Sequence, residues 1–507
     1  MNEAALDSNA RWPWLIQGGM GISISDWRLA RVVARAGQLG VVSGTAIDAV
    51  FVRRLQKYGM DERLHAVLAR FPVPAIVDDV LRQFNTARRR ATGAYRSPTM
   101  LTHESTQRSV DLLVLAAFAE VAMAKSGHAG LVGINLLTKV QLPTVALLCG
   151  AMIAGVDFVL MGAGVPTHIP GILERLRQGL NVCTPLEMTN ATPKEAPVVH
   201  FDPTTYLDGA PRLTRPRFLG IISSNVLASA LLKRSDGPVD GFVVERPVAG
   251  GHNAPPRGPL ELDEDEAPIY GPRDEVNYAS LAALGRPFWI AGGITSPAHV
   301  RAALNVGATG VQVGTLFAYC DESGMDPALR QRVLAAVTKG PVDVRTSVRA
   351  SSTGYPFKVV SVAGSIGDPS VYAQRTRRCD LGYLREAFLA SDGTIGYRCA
   401  AEPVEAYVRK GGDESRTVDA TCLCNGLMAA CGLGQIRANG DVEPPIITSG
   451  DCLNEIRSLA DGRAHYRAID VIKHLRTGLD PGAVASQSGN SHTGERSPRT
   501  QNARTPQ

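Results

Sequence analysis

At 507 residues the chain is about three to four times the usual length of one domain, a size that one large α/β barrel with insertions absorbs. Apolar residues make up 44% and charged residues 20%, which excludes a wholly disordered, collagen-like or coiled-coil chain. A net charge of +5, from 53 basic and 48 acidic residues, is too small an imbalance at this length to point to nucleic acid.

The first segment, residues 1–11, is polar and lacks the basic start and apolar core of a secretory signal, so a soluble, cytoplasmic protein is expected. From residue 14 to about 339, short β-rich runs alternate with helix-length amphipathic stretches. In chain order the runs are Trp14–Gln17, Gly40–Ser43, Leu131–Asn135, Phe158–Met161, Phe218–Ile222, Gly241–Glu245, Pro287–Ala291 and Gly310–Val313. Eight strand–helix units predict a parallel (β/α)8 TIM barrel, an α/β fold spanning residues 12–340. Two insertions interrupt it. One, near 46–130, carries helical patterns at Val52–Lys57, Glu62–Arg70 and Ser105–Ala124, and is expected to cap one end. The other, 181–216, holds the β-rich Val198–Leu207. The arginine-rich stretch Arg82–Arg96 reads as a solvated helix face. The apolar stretch Val145–Val165 is broken by Gly150, Gly155 and Asp157, so it reads as helix, turn and buried strand rather than a membrane span. A cysteine-containing extension follows over 341–475, and a polar tail, 481–507, is too poor in apolar residues to offset its ordering entropy and is expected to be disordered.

In such a barrel the site lies at the C-terminal ends of the strands. After successive runs the sequence reads Gln17-Gly18-Gly19-Met20-Gly21, Ser43-Gly44-Thr45, Asn135, Gly162-Ala163-Gly164, Ala249-Gly250-Gly251-His252, Gly292-Gly293-Ile294 and Gly314-Thr315. Any one is a routine turn, but their shared position allows backbone to approach a flat or phosphorylated ligand. The loops after the last two strands, Gly292-Gly293 and Gln312-Val313-Gly314-Thr315, stand where such barrels build a phosphate site from backbone N–H groups. His252 is the histidine beside a Gly-Gly pair at a strand end, while His65, His128, His168, His299 and His474 fall in helical or loop patterns. An imidazole there can move one proton near neutral pH.

These motifs, together with Gly133-Ile134-Asn135-Leu136, resemble the nitronate monooxygenases and the related FMN-dependent enoyl-acyl-carrier-protein reductases. The resemblance covers about residues 12–340 and implies bound FMN. It implies that Gly19 and Met20 lie beside the isoalloxazine and that Asn135 touches the flavin. Gly250, Gly292, Gly293, Gln312, Val313, Gly314 and Thr315 would contact ribityl and phosphate, and His252 would be the active-site histidine. Gly162, Glu245 and Gly251 complete the implied cofactor contacts. Glu245 stands where the family commonly has glutamine, and Val248 where it has glutamate. The implied activity is oxidation of a nitronate or nitroalkane with O2. The alternatives are an NAD(P)H-dependent enoyl reductase acting on an acyl substrate, and a flavin-holding partner subunit without turnover.

Nine cysteines, an odd number, are not a disulfide framework. Cys379, Cys399, Cys422 and Cys424 have two readings: ligands of zinc or an iron–sulfur cluster, or unliganded thiols. The proline-rich, acidic loop from Asn253 to Asp274 directly follows His252 and is expected to act as a lid, with Arg257 the nearest positive charge for an anionic substrate.

Overall fold

A computed structural model describes residues 12–85, 93–192, 194–208, 212–437, 439–460, 463 and 465–479. The expected signal-free start, the middle of the arginine-rich stretch and the expected disordered tail lie outside the described residues. Eight parallel strands close into one barrel: β1 (Leu15–Gln17), β2 (Leu39–Ser43), β3 (Val132–Leu137), β4 (Phe158–Gly162), β5 (Arg217–Ile222), β6 (Gly241–Glu245), β7 (Phe288–Ala291) and β8 (Gly310–Val313). Each pairs with the next, and β8 returns to β1 with Leu15 opposite Val311 and Gln17 opposite Val313. Each expected run overlaps one of these strands, with bounds that differ by up to two residues. The runs read as nearly continuous apolar stretches because helices cover the outside and side chains fill the inside.

The barrel interior is a separate apolar cluster of Ile16, Leu39, Val41, Phe158, Leu160, Leu219, Val243, Trp289 and Ala291. Trp12 closes its N-terminal end: its ring lies 5.6 Å from Trp289 and 5.9 Å from Phe158, with the Arg217 guanidinium 4.2 Å over it. That plug leaves the C-terminal mouth as the only end of the described barrel lined by the glycine loops.

The first insertion is helical, as its periodicity predicts, with helices Ile47–Tyr58, Glu62–Leu68 and Pro74–Phe84. Its last helix, Gln107–Lys125, is different: it belongs to the barrel's outer layer, packed on helix Thr144–Ile153. Close approach explains Gly150 there, since a Cβ would sit 2.1 Å from the Val114 carbonyl oxygen. A buried ion-pair network pins the insertion. Arg54 meets Asp26 at 2.9 Å and Glu120 at 3.0 Å, and Glu120 also accepts from Trp27 N at 2.8 Å. In the second insertion, Val182–Pro185 and Val198–Phe201 form an antiparallel pair, while Met188–Thr189 joins Glu386–Leu389 of the extension.

The extension's buried residues, with Tyr407, Met428, Ile446 and Leu453 fully enclosed, join the core around the barrel's outer layer. The extension crosses the barrel mouth through helix Leu423–Ala430 and segment 446–452, then runs back outside, where helix Ala468–Arg476 packs on helices Trp27–Arg35 and Pro297–Asn305. Among the described residues no helix is long and apolar enough to cross a membrane.

Candidate active site

The mouth opens into a cavity of about 1320 Å³ of empty space, counted out to its opening. The barrel side is made of strand ends: Gly19 and Met20 after β1, Asn135 on β3, Gly162 on β4, Glu245 on β6, and Gly250, Gly251 and His252 beyond it. The far side is apolar and comes from the extension: Leu384, Leu423, Leu427, Ile446 and Ile447. A second, smaller cavity adjoins it and shares Gly19, Met20, Glu245, Gly250, Gly314 and Thr315. Gly292, Gly293, Gln312 and Val313 line only this cradle. The sequence-derived candidates from the barrel thus converge on two joined spaces.

Local geometry explains the glycines that matter. A Cβ on Gly19 would lie 2.3 Å from Asn135 Cβ, so only glycine lets these two strand ends meet. Asn135 Nδ2 donates to the Gly19 carbonyl at 3.2 Å, while its Oδ1 is buried without a hydrogen-bond partner. Such an acceptor is costly unless a ligand donor satisfies it. Gly292 and Gly293 hold positive φ values of 91° and 66°, and the Gly292 carbonyl accepts from the Arg246 guanidinium Nε at 3.0 Å, which fixes the loop.

The cradle is closed by a segment that the sequence reading missed. Gly450 N donates to Thr315 Oγ1 at 3.0 Å, and Gly251 N donates to Thr448 Oγ1 at 2.9 Å. A Cβ on Gly250 would stand 2.7 Å from the Ser449 carbonyl carbon, so that glycine serves the seam between barrel and extension. The available signal was Thr448-Ser449-Gly450 after the apolar pair Ile446-Ile447, the same small-residue pattern seen at the barrel strand ends.

His252 is held by the extension as well. Asn253 N donates to the Pro356 carbonyl at 2.9 Å, and Lys358 N donates to that of Gly251 at 3.0 Å. Strand Phe357–Val360 therefore clamps the histidine from both sides. The ring meets Phe357 edge-on at 4.9 Å, and Nε2 shares a hydrogen bond with Ser351 Oγ at 2.7 Å. Burial pushes its pKa down to about 4, so the imidazole is neutral at neutral pH. Glu245 lines both cavity and cradle, and burial pushes its carboxyl up to about 8.

Two expectations are corrected. The loop Asn253–Asp274 does not cover the main cavity. It folds on itself, with Leu262 bridged to Pro268 and Arg257 N donating to Asp274 at 2.9 Å. Arg257 faces a side pocket and donates to the Ser223 carbonyl, because the cavity mouth is already occupied by the extension. The second correction concerns Cys379, Cys399, Cys422 and Cys424. They lie near enough for each thiolate to disfavour the others, but among the described residues no set of three or more histidine, cysteine, aspartate or glutamate side chains is arranged to hold a metal ion. Burial drives Cys379 up to about 11 and Cys424 up to about 12. Cys424 instead lines the main cavity.

The nitronate monooxygenase family model matches residues 209–361, which hold β5 to β8, the His252 loop and the strand that clamps it. A nitronate monooxygenase of Pseudomonas aeruginosa is 35% identical over 152 residues, covering 29% of this chain and 40% of that protein. A probable nitronate monooxygenase of Bacillus subtilis is 34% identical over 114 residues, covering 22% of this chain and 31% of that one. The chain thus spans less than half the length of these curated relatives. Among solved structures, FabK from Thermotoga maritima aligns with a TM-score of 0.44 at 14% identity, over 96% of this chain and 97% of that one. A nitroalkane oxidase from Streptomyces ansochromogenes aligns with a TM-score of 0.44 at 13% identity, over 93% and 96%. Over residues 209–361, the chain is similar to the nitronate monooxygenase family.

Proposed function

We propose that the protein is an FMN-dependent oxidoreductase that oxidises a nitronate or nitroalkane with O2. The observation that carries the reading is the glycine cradle fused to a cavity that holds His252 and the unpartnered Asn135 Oδ1. These residues fit FMN. The cradle offers the Gly292-Gly293 and Gly314-Thr315 backbone to a phosphate without a clashing side chain, since a Cβ on Gly314 would meet only Met20 Sδ at 3.5 Å. Asn135 Oδ1 offers an acceptor to a flavin N–H. Bound there, FMN would supply the electron acceptor that no side chain provides.

The chain's own residues orient the substrate and move its proton. His252, neutral and fixed by Ser351, accepts or shares a substrate proton at a ring nitrogen. The extension's leucines and isoleucines exclude water from the cavity. The purified protein should carry flavin absorbance and consume oxygen with a nitronate in the absence of nicotinamide. Flavin-free protein that takes up no added FMN would overturn the reading.

A second reading, an NAD(P)H-dependent enoyl reductase, is favoured by one feature: among the described residues no lysine or arginine lines the apolar main cavity, which suits a neutral acyl chain. Rapid NAD(P)H oxidation with an enoyl thioester would select it.

A further inference from the structure

Glu245 is the side chain common to the main cavity, the glycine cradle and a third, side pocket of about 300 Å³ of empty space. It ends strand β6, where pairing of Glu245 with Ala291 fixes its backbone. No hydrogen bond or ion pair engages its carboxyl among the described residues, although every charged neighbour is engaged elsewhere. Arg246, next in sequence, is turned to the Gly292 carbonyl. On the side-pocket wall, Tyr270 donates to the Ala254 carbonyl at 2.9 Å, Arg257 donates to that of Ser223 at 3.1 Å, and Asp274 accepts from Arg257 N. Asp451, across from Tyr270, is paired with Lys358 at 2.7 Å. On the cavity and cradle sides the remaining ionisable groups are His252, Cys424 and Cys452, the first neutral and the two thiols pushed up by burial.

We propose that Glu245 is the proton gate of the site, exchanging protons with solvent through the side pocket and with the reacting groups through the main cavity. This rests on the oxidoreductase reading. A proton from side-pocket water protonates the Glu245 carboxylate, and the resulting acid gives that proton to a group in the cavity; the reverse order exports one. No electrons move in either step. His252 lines the main cavity but not the side pocket, so it has no path of its own to that water. Glu245, raised to about 8, changes protonation within the working range. The glutamine commonly found at this position has no proton to exchange.

The test begins with the protein itself. Its infrared spectrum should show a buried carboxylic-acid C=O band that disappears as pH rises through about 8, and that is missing in Glu245→Gln. An unchanged band in Glu245→Gln overturns the proposal, and this arm needs no flavin, so it stands apart from failure of the oxidoreductase reading. With FMN loaded, flavin absorbance should titrate over the same range in the wild type, titrate at a shifted midpoint in Glu245→Asp, and not titrate in Glu245→Gln. Turnover of Glu245→Gln should fall about 10²-fold with loss of that titration from its pH profile. Ala254→Phe, which fills the side pocket, should keep the midpoint and slow the flavin response to a pH jump about tenfold, the loss expected when a positioned proton path is blocked. A response of unchanged rate overturns the route.

Discussion

The two walls of the cavity are built in contrasting ways. The barrel wall is backbone: glycines, a strand-end amide and carbonyls, each set in place by strand register. The extension wall is side chain: leucines and isoleucines on a short helix and a loop, positioned by packing against parts of the chain far away in sequence. Backbone walls suit an invariant cofactor, whose phosphate and ring demand fixed donors and acceptors. Side-chain walls suit a variable partner, since apolar contacts are non-directional and tolerate exchange. On the proposed reading, cofactor choice resides in the barrel and substrate choice in the extension.

The largest expected effect sharpens that division at the point where both walls hold one residue. His252→Ala should retain FMN and lose about 10²–10⁴-fold in turnover, measured with saturating substrate. Normal turnover would return His252 to a packing role. On the barrel wall alone, Gly314→Asp places a carboxylate in the cradle and should weaken FMN binding about 10²-fold, since like charges brought together there cost several kcal/mol. The variant should fold, because the added Cβ meets only Met20 at 3.5 Å. Full retention of FMN would break the comparison. On the extension wall alone, Leu427→Ala should leave FMN affinity within about threefold and raise KM about tenfold, the share of about 1.5–3 kcal/mol that a leucine contributes when wholly buried. Loss of flavin with unchanged KM would reverse the assignment.

The smallest effect is on stability against pH. His252 takes up a proton near 6.5 when unfolded but only near 4 when folded. Its contribution to stability is complete above 6.5 and is lost as pH falls toward 4, because the unfolded chain then binds the extra proton. The wild-type Tm should therefore fall more steeply over that acid range than the Tm of His252→Gln, and parallel curves would contradict the buried, neutral ring.

What could be read from the sequence follows the same division. The eight strands and the residues at their ends were legible because periodicity and glycine position are local signals, and a barrel's geometry converts chain order into place. The cover of the mouth was not. The acidic loop after His252 is adjacent in sequence and was expected to close the site, yet Leu423, Leu427 and Thr448 do so from about 170 residues or more further on. Nothing in their local pattern encodes which surface they will meet. For Cys422 and Cys424 the sequence left two readings open; both side chains are buried, and Cys424 lines the main cavity.

The hydrogen bond from Gly450 to Thr315 joins residues 135 positions apart. During synthesis the barrel's last strand leaves the ribosome first, and the residue that seals the cradle follows only after roughly ten seconds at ordinary elongation rates. For that interval the nascent barrel presents an open port. On the proposed reading, cofactor capture has a window in time, and a chain truncated before residue 446 should exchange added FMN faster than the full chain.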